Sequence, residues 1–150
     1  MPDADHSTLV IVPTYNERDN LAGIVEALGK LSVDLLVVDD NSPDGTGDLA
    51  DDLSDKHDFV NVLHRQEKNG LGRAYCAGFE WALQRDYEFI FEMDGDFSHD
   101  PLDIPRFIEL FRAGQLPVEK LLTSIIPLED INAGFDRLYH GEVARQVILF

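Results

Sequence analysis

The sequence predicts an α/β fold, a mostly parallel sheet with helices on both faces. Short apolar runs at Thr8–Val12, Asp34–Val38, Phe59–Leu63 and Tyr87–Met93 have the length and composition of buried strands. Segments with apolar residues at helical spacing separate them, which is the alternation of a parallel sheet. Three of the runs end in polar, acidic stretches: Tyr15/Glu17, Asp39/Asp40 and Asp94/Asp96. In such sheets ligands bind outside the carboxyl ends of the strands, so residues distant in sequence are expected to meet at one crevice.

Each element has a local reason. After the first run comes a turn, Pro13-Thr14-Tyr15-Asn16-Glu17, and then Leu21, Ile24, Val25 and Leu28 recur at helical spacing. The second run stops at Asp39-Asp40-Asn41-Ser42-Pro43-Asp44-Gly45, which is dense in turn formers. A short acidic helix through Leu49 and Leu53 leads to the third strand, and Asn69-Gly70-Leu71-Gly72 reads as a loop. Ala74, Ala77, Gly78, Trp81 and Ala82 give the next helix a small-residue face. Beyond the fourth strand, Ile104–Phe111 reads as a helix with Pro105 in its first turn. Leu121–Ile126 reads as a strand, Leu128–Ile131 opens a helix carrying Ile131, Phe135 and Leu138 on one face, and Gly141 ends it. Arg145–Phe150 reads as a last short strand.

Composition narrows the function. A chain of 150 residues can bury a real core but is short for two full domains. No apolar run approaches the roughly 20 residues of a membrane span. The polar, acidic start Met1–Ser7 has no basic region of a signal peptide, so a cytoplasmic chain is expected. Cys76 is the single cysteine, which excludes an internal disulfide and a cysteine-rich metal site, and its neighbours Ala74 and Ala77 suggest buried packing. A formal net charge of −17 makes nucleic acid an improbable partner and leaves no polybasic patch for an anionic membrane.

The chemistry-bearing residues sit at the predicted strand ends. Asp94-Gly95-Asp96 places two carboxylates two residues apart, which can hold one hard divalent cation, Mg²⁺ or Mn²⁺, while leaving room for phosphate oxygens and water. Gly95 keeps the backbone open for close approach. The plain alternative is a solvated turn. Asp39-Asp40 can accept hydrogen bonds from a ribose or a base edge, or serve the turn that follows, where Ser42 or Asp44 is expected to cap the next helix. Tyr15 can contact a base, and Glu17 can bind a nucleoside or favour the start of its helix. No GxGxxG follows the first strand, which disfavours a dinucleotide grip. Gly70-Leu71-Gly72-Arg73 reads as a loop before a helix, where backbone N–H groups with Lys68 or Arg73 could hold an anion. Ser98-His99-Asp100 cannot form a nucleophilic triad, because neighbours on one short loop lack the required geometry; His99 reads as stabilising its loop.

Four ordered motifs resemble the family 2, GT-A-fold glycosyltransferases, and within them the polyprenol (dolichol) phosphate mannosyltransferases. They are Val12–Glu17, Val38–Thr46, Asn69–Tyr75 and Met93–Pro101, and the likeness covers residues 8–103. It implies a Rossmann-like GT-A sheet, truncated after the DxD motif, that binds GDP-mannose. Pro13, Tyr15, Glu17, Val38 and Asp40 would contact the nucleoside. Asp94 and Asp96, with Gly95 between them, would handle the diphosphate and the metal as the catalytic pair, with Ser98 as a further metal contact. The family usually has Ala where Gly95 stands. The implied reaction is an inverting transfer of mannose to a polyprenyl phosphate at the membrane surface, with peripheral membrane association. That acceptor is already anionic near neutral pH, so orientation and charge neutralisation would supply most of the acceleration.

After Pro101 the family pattern, a strand and an Arg-containing segment that close on the donor, is not found. Phe111–Pro117, Pro127–Phe135 and Gly141–Phe150 instead resemble the C-terminal end of a medium-chain, zinc-type alcohol dehydrogenase. This likeness brings no zinc ligands and no cofactor fingerprint, and so implies no dehydrogenase activity. The expected division is a nucleotide-sugar-binding half-domain at 1–103 and a tail at 104–150. A foreign tail is expected to leave apolar surface uncovered and to favour self-association. Two functions stay open, the mannosyl transfer and a non-catalytic nucleotide-sugar binder that lacks acceptor closure. A nucleotidyltransferase would want a glycine- and Lys/Arg-rich turn after the first strand, which is absent.

Overall fold

The computed structural model describes residues 7–149. It divides into two compact units, one running to Ile104 and the other beginning at Pro105.

The first unit is a four-stranded parallel sheet in the order β3-β2-β1-β4. The strands are β1 Thr8–Thr14, β2 Asp34–Asp39, β3 Val60–His64 and β4 Phe89–Glu92. The helices between them are α1 Arg18–Leu28, α2 Thr46–Ser54 and α3 Leu71–Ala82. Leu9–Val12 and Leu35–Val38 have no solvent exposure, which is why these stretches read as unbroken apolar runs: both faces of the two inner strands are covered. Alternation along the strands sends Leu9, Ile11, Leu36 and Val38 to one face, where Ala74 and Ala82 of α3 pack on them. The intervening residues serve the other face. There α1 and α2 pack against each other and against β2, with Leu21, Ile24, Val25 and Leu28 buried from α1.

The small residues of α3 set how closely it approaches the sheet. A Cβ added at Gly78 would stand 2.7 Å from Ile11 Cγ2. The buried set Ala74, Gly78, Ala82 has a spacing of one helical turn. Cys76 falls off this stripe and is exposed, against the expectation of buried packing. Tyr87, expected inside the fourth strand, precedes it, and its hydroxyl donates to Asp34 Oδ2 at 2.9 Å.

The second unit contains α4 from Pro105 onward (the helix spans Ile104–Arg112), β5 Ser124–Pro127, α5 Ile131–Tyr139 and β6 Gln146–Leu149. A 3₁₀ turn over Val118–Leu121 occupies the start of the strand expected from Leu121. β5 and β6 pair in parallel and are joined through α5, a minimal β-α-β unit. Gly134 permits the close contact between α5 and β5, since a Cβ there would stand 2.6 Å from Ile126 Cδ1. Gly141, at φ 70°, follows α5 in the left-handed region that terminates helices. Phe150, the expected end of the last strand, lies outside the described residues.

Gly78→Val should overpack the α3–sheet contact against Ile11. We expect a loss of about 1–3 kcal/mol, read as a lower urea midpoint at unchanged slope.

Candidate functional site

Strand order places the site. The chain runs from β1 outward to β2 and β3, then returns to add β4 on the other side of β1. The carboxyl ends of β1 and β4 therefore flank a topological switch point, where open α/β sheets bind ligands. A cavity of about 300 Å³ lies there, lined by Pro13, Thr14, Tyr15, Glu17, Asp40, Lys68, Leu71, Ala74, Asp94, Gly95 and Asp96. Each of the three strand ends bordering it turns through one left-handed residue: Asn16 at φ 61°, Asn41 at φ 57° and Phe97 at φ 61°. Asn adopts this conformation readily, whereas for a bulky Phe it costs about 1–2 kcal/mol. The Phe97 ring is held against α1, its Cζ 3.0 Å from where a Cβ on Gly23 would be.

The turns after β1 and β2 are bonded to each other. The backbone N–H groups of Asn16, Glu17 and Arg18 donate to Ser42 Oγ at 3.1 Å, Thr46 Oγ1 at 3.1 Å and Asp44 Oδ2 at 3.3 Å. The α1 start thus takes partners from the next turn instead of from a cap of its own. Asp44 Oδ1 also accepts from Thr46 N at 2.9 Å and Thr46 Oγ1 at 2.6 Å. The Thr46 hydroxyl, then the backbone bonds, hold the Asp44 carboxyl below its usual range. Gly45, in the left-handed region, is the N-cap residue of α2, so neither Ser42 nor Asp44 occupies the cap position itself.

The adjacent acids after β2 separate in role. Asp39 is buried and accepts from Thr14 Oγ1 at 2.9 Å, Ser42 Oγ at 2.6 Å and Ser42 N at 3.1 Å, so it braces the two turns. Asp40 lines the cavity, and its Oδ1 accepts from Arg65 Nη1 at 2.6 Å in a pair whose side chains are 7% and 14% exposed respectively. Arg65 also donates to Asn69 Oδ1. Val38 sits apart from the cavity wall, buried under α3.

On the β4 side, Asp94, Gly95 and Asp96 follow Met93, whose N–H donates to Ile11 O at 3.0 Å. Asp94 is held at two points. Tyr75 Oη donates to its Oδ1 at 3.1 Å, and its backbone N–H donates to His99 Nδ1 at 3.3 Å. Burial, and then the Asp94 carboxylate, raise the Tyr75 hydroxyl well above the ordinary tyrosine range. Asp96 Oδ1 accepts from Ser98 N at 2.9 Å, and the Ser98 side chain, followed by that backbone bond, keeps the Asp96 carboxyl below its usual value. Ser98 is exposed and lies outside the cavity lining. A Cβ on Gly95 would meet Glu17 Cγ at 3.3 Å, Pro13 O at 3.5 Å and Val12 Cγ1 at 3.6 Å, space that a small shift of the flexible Glu17 side chain provides.

The donor set fits a hard divalent cation in one respect: two carboxylates of one turn line one cavity, and Asp96 is disposed to be ionised. Among the described residues no three His, Cys, Asp or Glu side chains are grouped to enclose a metal. A cation there would complete its shell with phosphate oxygens and water. Sequence reasoning did not find the partners of these acids. Tyr75 and Arg65 lie 19 and 25 residues from the groups they bond, and no local pattern signals such pairs.

Over residues 9–118 the chain matches the profile of glycosyl transferase family 2. It belongs to that family. It is 53% identical over 110 residues to the polyprenol monophosphomannose synthase of Mycolicibacterium smegmatis, covering 71% of this chain and 42% of that one. It is 49% identical over 115 residues to the undecaprenyl-phosphate mannosyltransferase of Micrococcus luteus, covering 73% and 46%. The dolichol-phosphate mannosyltransferase of Pyrococcus furiosus is 41% identical over 109 residues, covering 70% and 30%. The chain thus spans less than half the length of these relatives. A mannosyltransferase from Pyrobaculum calidifontis, solved with GDP-mannose and Mn²⁺, is 24% identical with a TM-score of 0.47, covering 55% of this chain and 26% of that one. The family sheet agrees with the α/β architecture expected from the alternating runs.

Two measurements check the site. Arg65→Met should leave the Asp40 carboxylate without its partner at 7% exposure, costing roughly 1–3 kcal/mol in denaturant unfolding. Tyr75 and Tyr87 should ionise late in a spectrophotometric titration. Burial, then the bond to Asp34, pushes Tyr87 to about 12. Since both folded values lie above the unfolded value of about 10, this contribution to stability is complete below about pH 10. It is lost as pH rises through the folded values. Tyr87→Phe should remove one late-ionising group.

Proposed function

We propose that the chain binds the donor GDP-mannose in a mannosyltransferase that acts on a polyprenyl (dolichyl-type) phosphate, with inversion and a divalent cation, Mg²⁺ or Mn²⁺. The convergence of Tyr15, Glu17, Asp40, Asp94 and Asp96 on one cavity at the switch point carries this reading. The names of the relatives support the transferred mannosyl group and the polyprenyl-phosphate class of acceptor.

In this reading Pro13, Tyr15 and Glu17 hold the nucleoside, with the base against the Tyr15 ring. Asp40, steadied by Arg65, accepts from the base or ribose. Val38 supports that end from beneath as part of the packed core. Asp94 and Asp96, with Ser98 bracing Asp96, face the diphosphate and would hold the cation, while Gly95 lets the ligand approach. When bound, the cation neutralises the developing charge on the leaving diphosphate. A phosphate oxygen of the acceptor attacks the sugar's anomeric carbon as the bond to the diphosphate breaks. Because that oxygen is already anionic, the chain's task is orientation and charge balance, without a general base.

A second reading, donor binding without transfer, is favoured by one observation. Among the described residues Lys68 is the one cationic side chain lining the cavity, whereas a donor diphosphate and an acceptor phosphate together call for more positive charge. Residues 1–103 would then be the nucleotide-sugar half and residues 104–150 a separate tail, with the break in compactness after Ile104 in support. The likeness of that tail to the end of a medium-chain alcohol dehydrogenase rests on the segments quoted above. Ile125, Phe135 and Val147 stay exposed there, which supports self-association. Among the described residues no helix is long and apolar enough to cross a membrane, and the relatives' lipid substrates support peripheral membrane contact.

The test is thermal and chemical. GDP-mannose with Mg²⁺ at 100 times its Kd should stabilise the fold by about 2.7 kcal/mol, and Asp96→Asn should remove the metal-dependent part. An unchanged shift in that variant would refute the metal assignment. Mannosyl lipid formed from GDP-mannose and vesicles containing polyprenyl phosphate would establish transfer; donor binding without product would leave the second reading.

A further inference from the structure

Among the described residues the cavity carries four carboxylates, those of Glu17, Asp40, Asp94 and Asp96, and one ammonium, that of Lys68. Arg65 is committed to Asp40 and Asn69. A diphosphate entering this cavity adds further negative charge where opposing charge is scarce. The Lys68 ammonium lies 4.0 Å from the centre of the Tyr15 ring, on the face of an aromatic that also lines the cavity. A flat ligand ring cannot share that face with the ammonium.

Displacing the ammonium costs little. An exposed cation–π contact is worth about 0.5–1 kcal/mol, while stacking a base on an aromatic ring is worth about 1–3 kcal/mol. The backbone beneath Lys68 is anchored on both sides. Arg65 N donates to Asp39 O at 2.8 Å, Asn41 Nδ2 donates to Gln66 O at 3.2 Å, and Ala74 N donates to Gly70 O at 3.2 Å. Lys68 itself is exposed on a flexible four-carbon stem. The loop stays in place while the charged tip can move.

We propose that Lys68 is a displaceable counter-ion of the cavity: a nucleobase stacking on Tyr15 takes the ring face from the ammonium, which then pairs with the ligand's diphosphate. The proposal rests on reading the cavity as a nucleotide-sugar site. It assigns Lys68 opposite effects on the two parts of one ligand. The ammonium competes with the nucleoside and attracts the phosphates.

Calorimetric titration of the full chain with guanosine and with GDP, each in the presence of Mg²⁺, separates these effects. Lys68→Met should weaken GDP binding about tenfold, the scale of one lost charge-assisted contact. The same variant should bind guanosine as well as wild type or better. Lys68→Arg should keep GDP affinity within a few-fold, and GDP binding to Lys68→Met should depend less on salt. Equal weakening of guanosine and GDP, or no change in GDP affinity, would overturn the proposal. If the wild-type chain melts cooperatively yet binds neither probe, the nucleotide-sugar reading itself fails.

Discussion

The site depends on the hydrogen bonding between two turns that are more than twenty residues apart. The backbone N–H groups leading into α1, those of Asn16, Glu17 and Arg18, find their acceptors on Ser42, Thr46 and Asp44, and the buried Asp39 carboxylate ties Thr14 to Ser42. An uncapped helix start exposes unsatisfied donors; here the cure for that cost is also what brings Tyr15 and Glu17 beside Asp40. Registering β4 against β1 then delivers Asp94 and Asp96 to the same edge. One set of backbone requirements positions groups from three strand ends.

Charge explains much of the rest. A chain at −17 must place its acids somewhere, and among the described residues most are exposed to solvent. The acids at the cavity each have a side-chain or backbone donor: Asn20 for Glu17, Arg65 for Asp40, Tyr75 for Asp94 and the Ser98 N–H for Asp96. These donors orient the carboxylates without supplying net positive charge at the diphosphate end. The shortage makes a divalent cation chemically sensible there, and it makes Lys68 on the cavity wall more consequential than its loop position suggests.

The second unit shows the same local physics on a smaller scale. A two-stranded parallel pair has little intrinsic stability. Burial of Ile126 against α5, permitted by Gly134, is what closes the β-α-β unit. Its cover is partial, and large apolar residues such as Ile125 remain open to solvent.

By itself the sequence determined the strand and helix alternation, because buried parallel strands are unbroken apolar runs and the helices carry plain periodicity. It also marked Tyr15, Glu17, Asp40, Asp94 and Asp96 as residues at strand ends, since a carboxylate directly after such a run has one edge of the sheet to occupy. It misplaced Cys76, because neighbouring alanines do not reveal which stripe of α3 faces the sheet. It did not separate Asp39 from Asp40, because adjacent residues point to opposite sides and the partners that distinguish them, Thr14 and Arg65, come from other elements. Only the tertiary structure decided that Val38 stands apart from the cavity wall, that Tyr75 holds Asp94 and that Lys68 stacks on Tyr15. Each of these is a contact between distant segments, and such contacts depend on strand order and register, which no local pattern encodes.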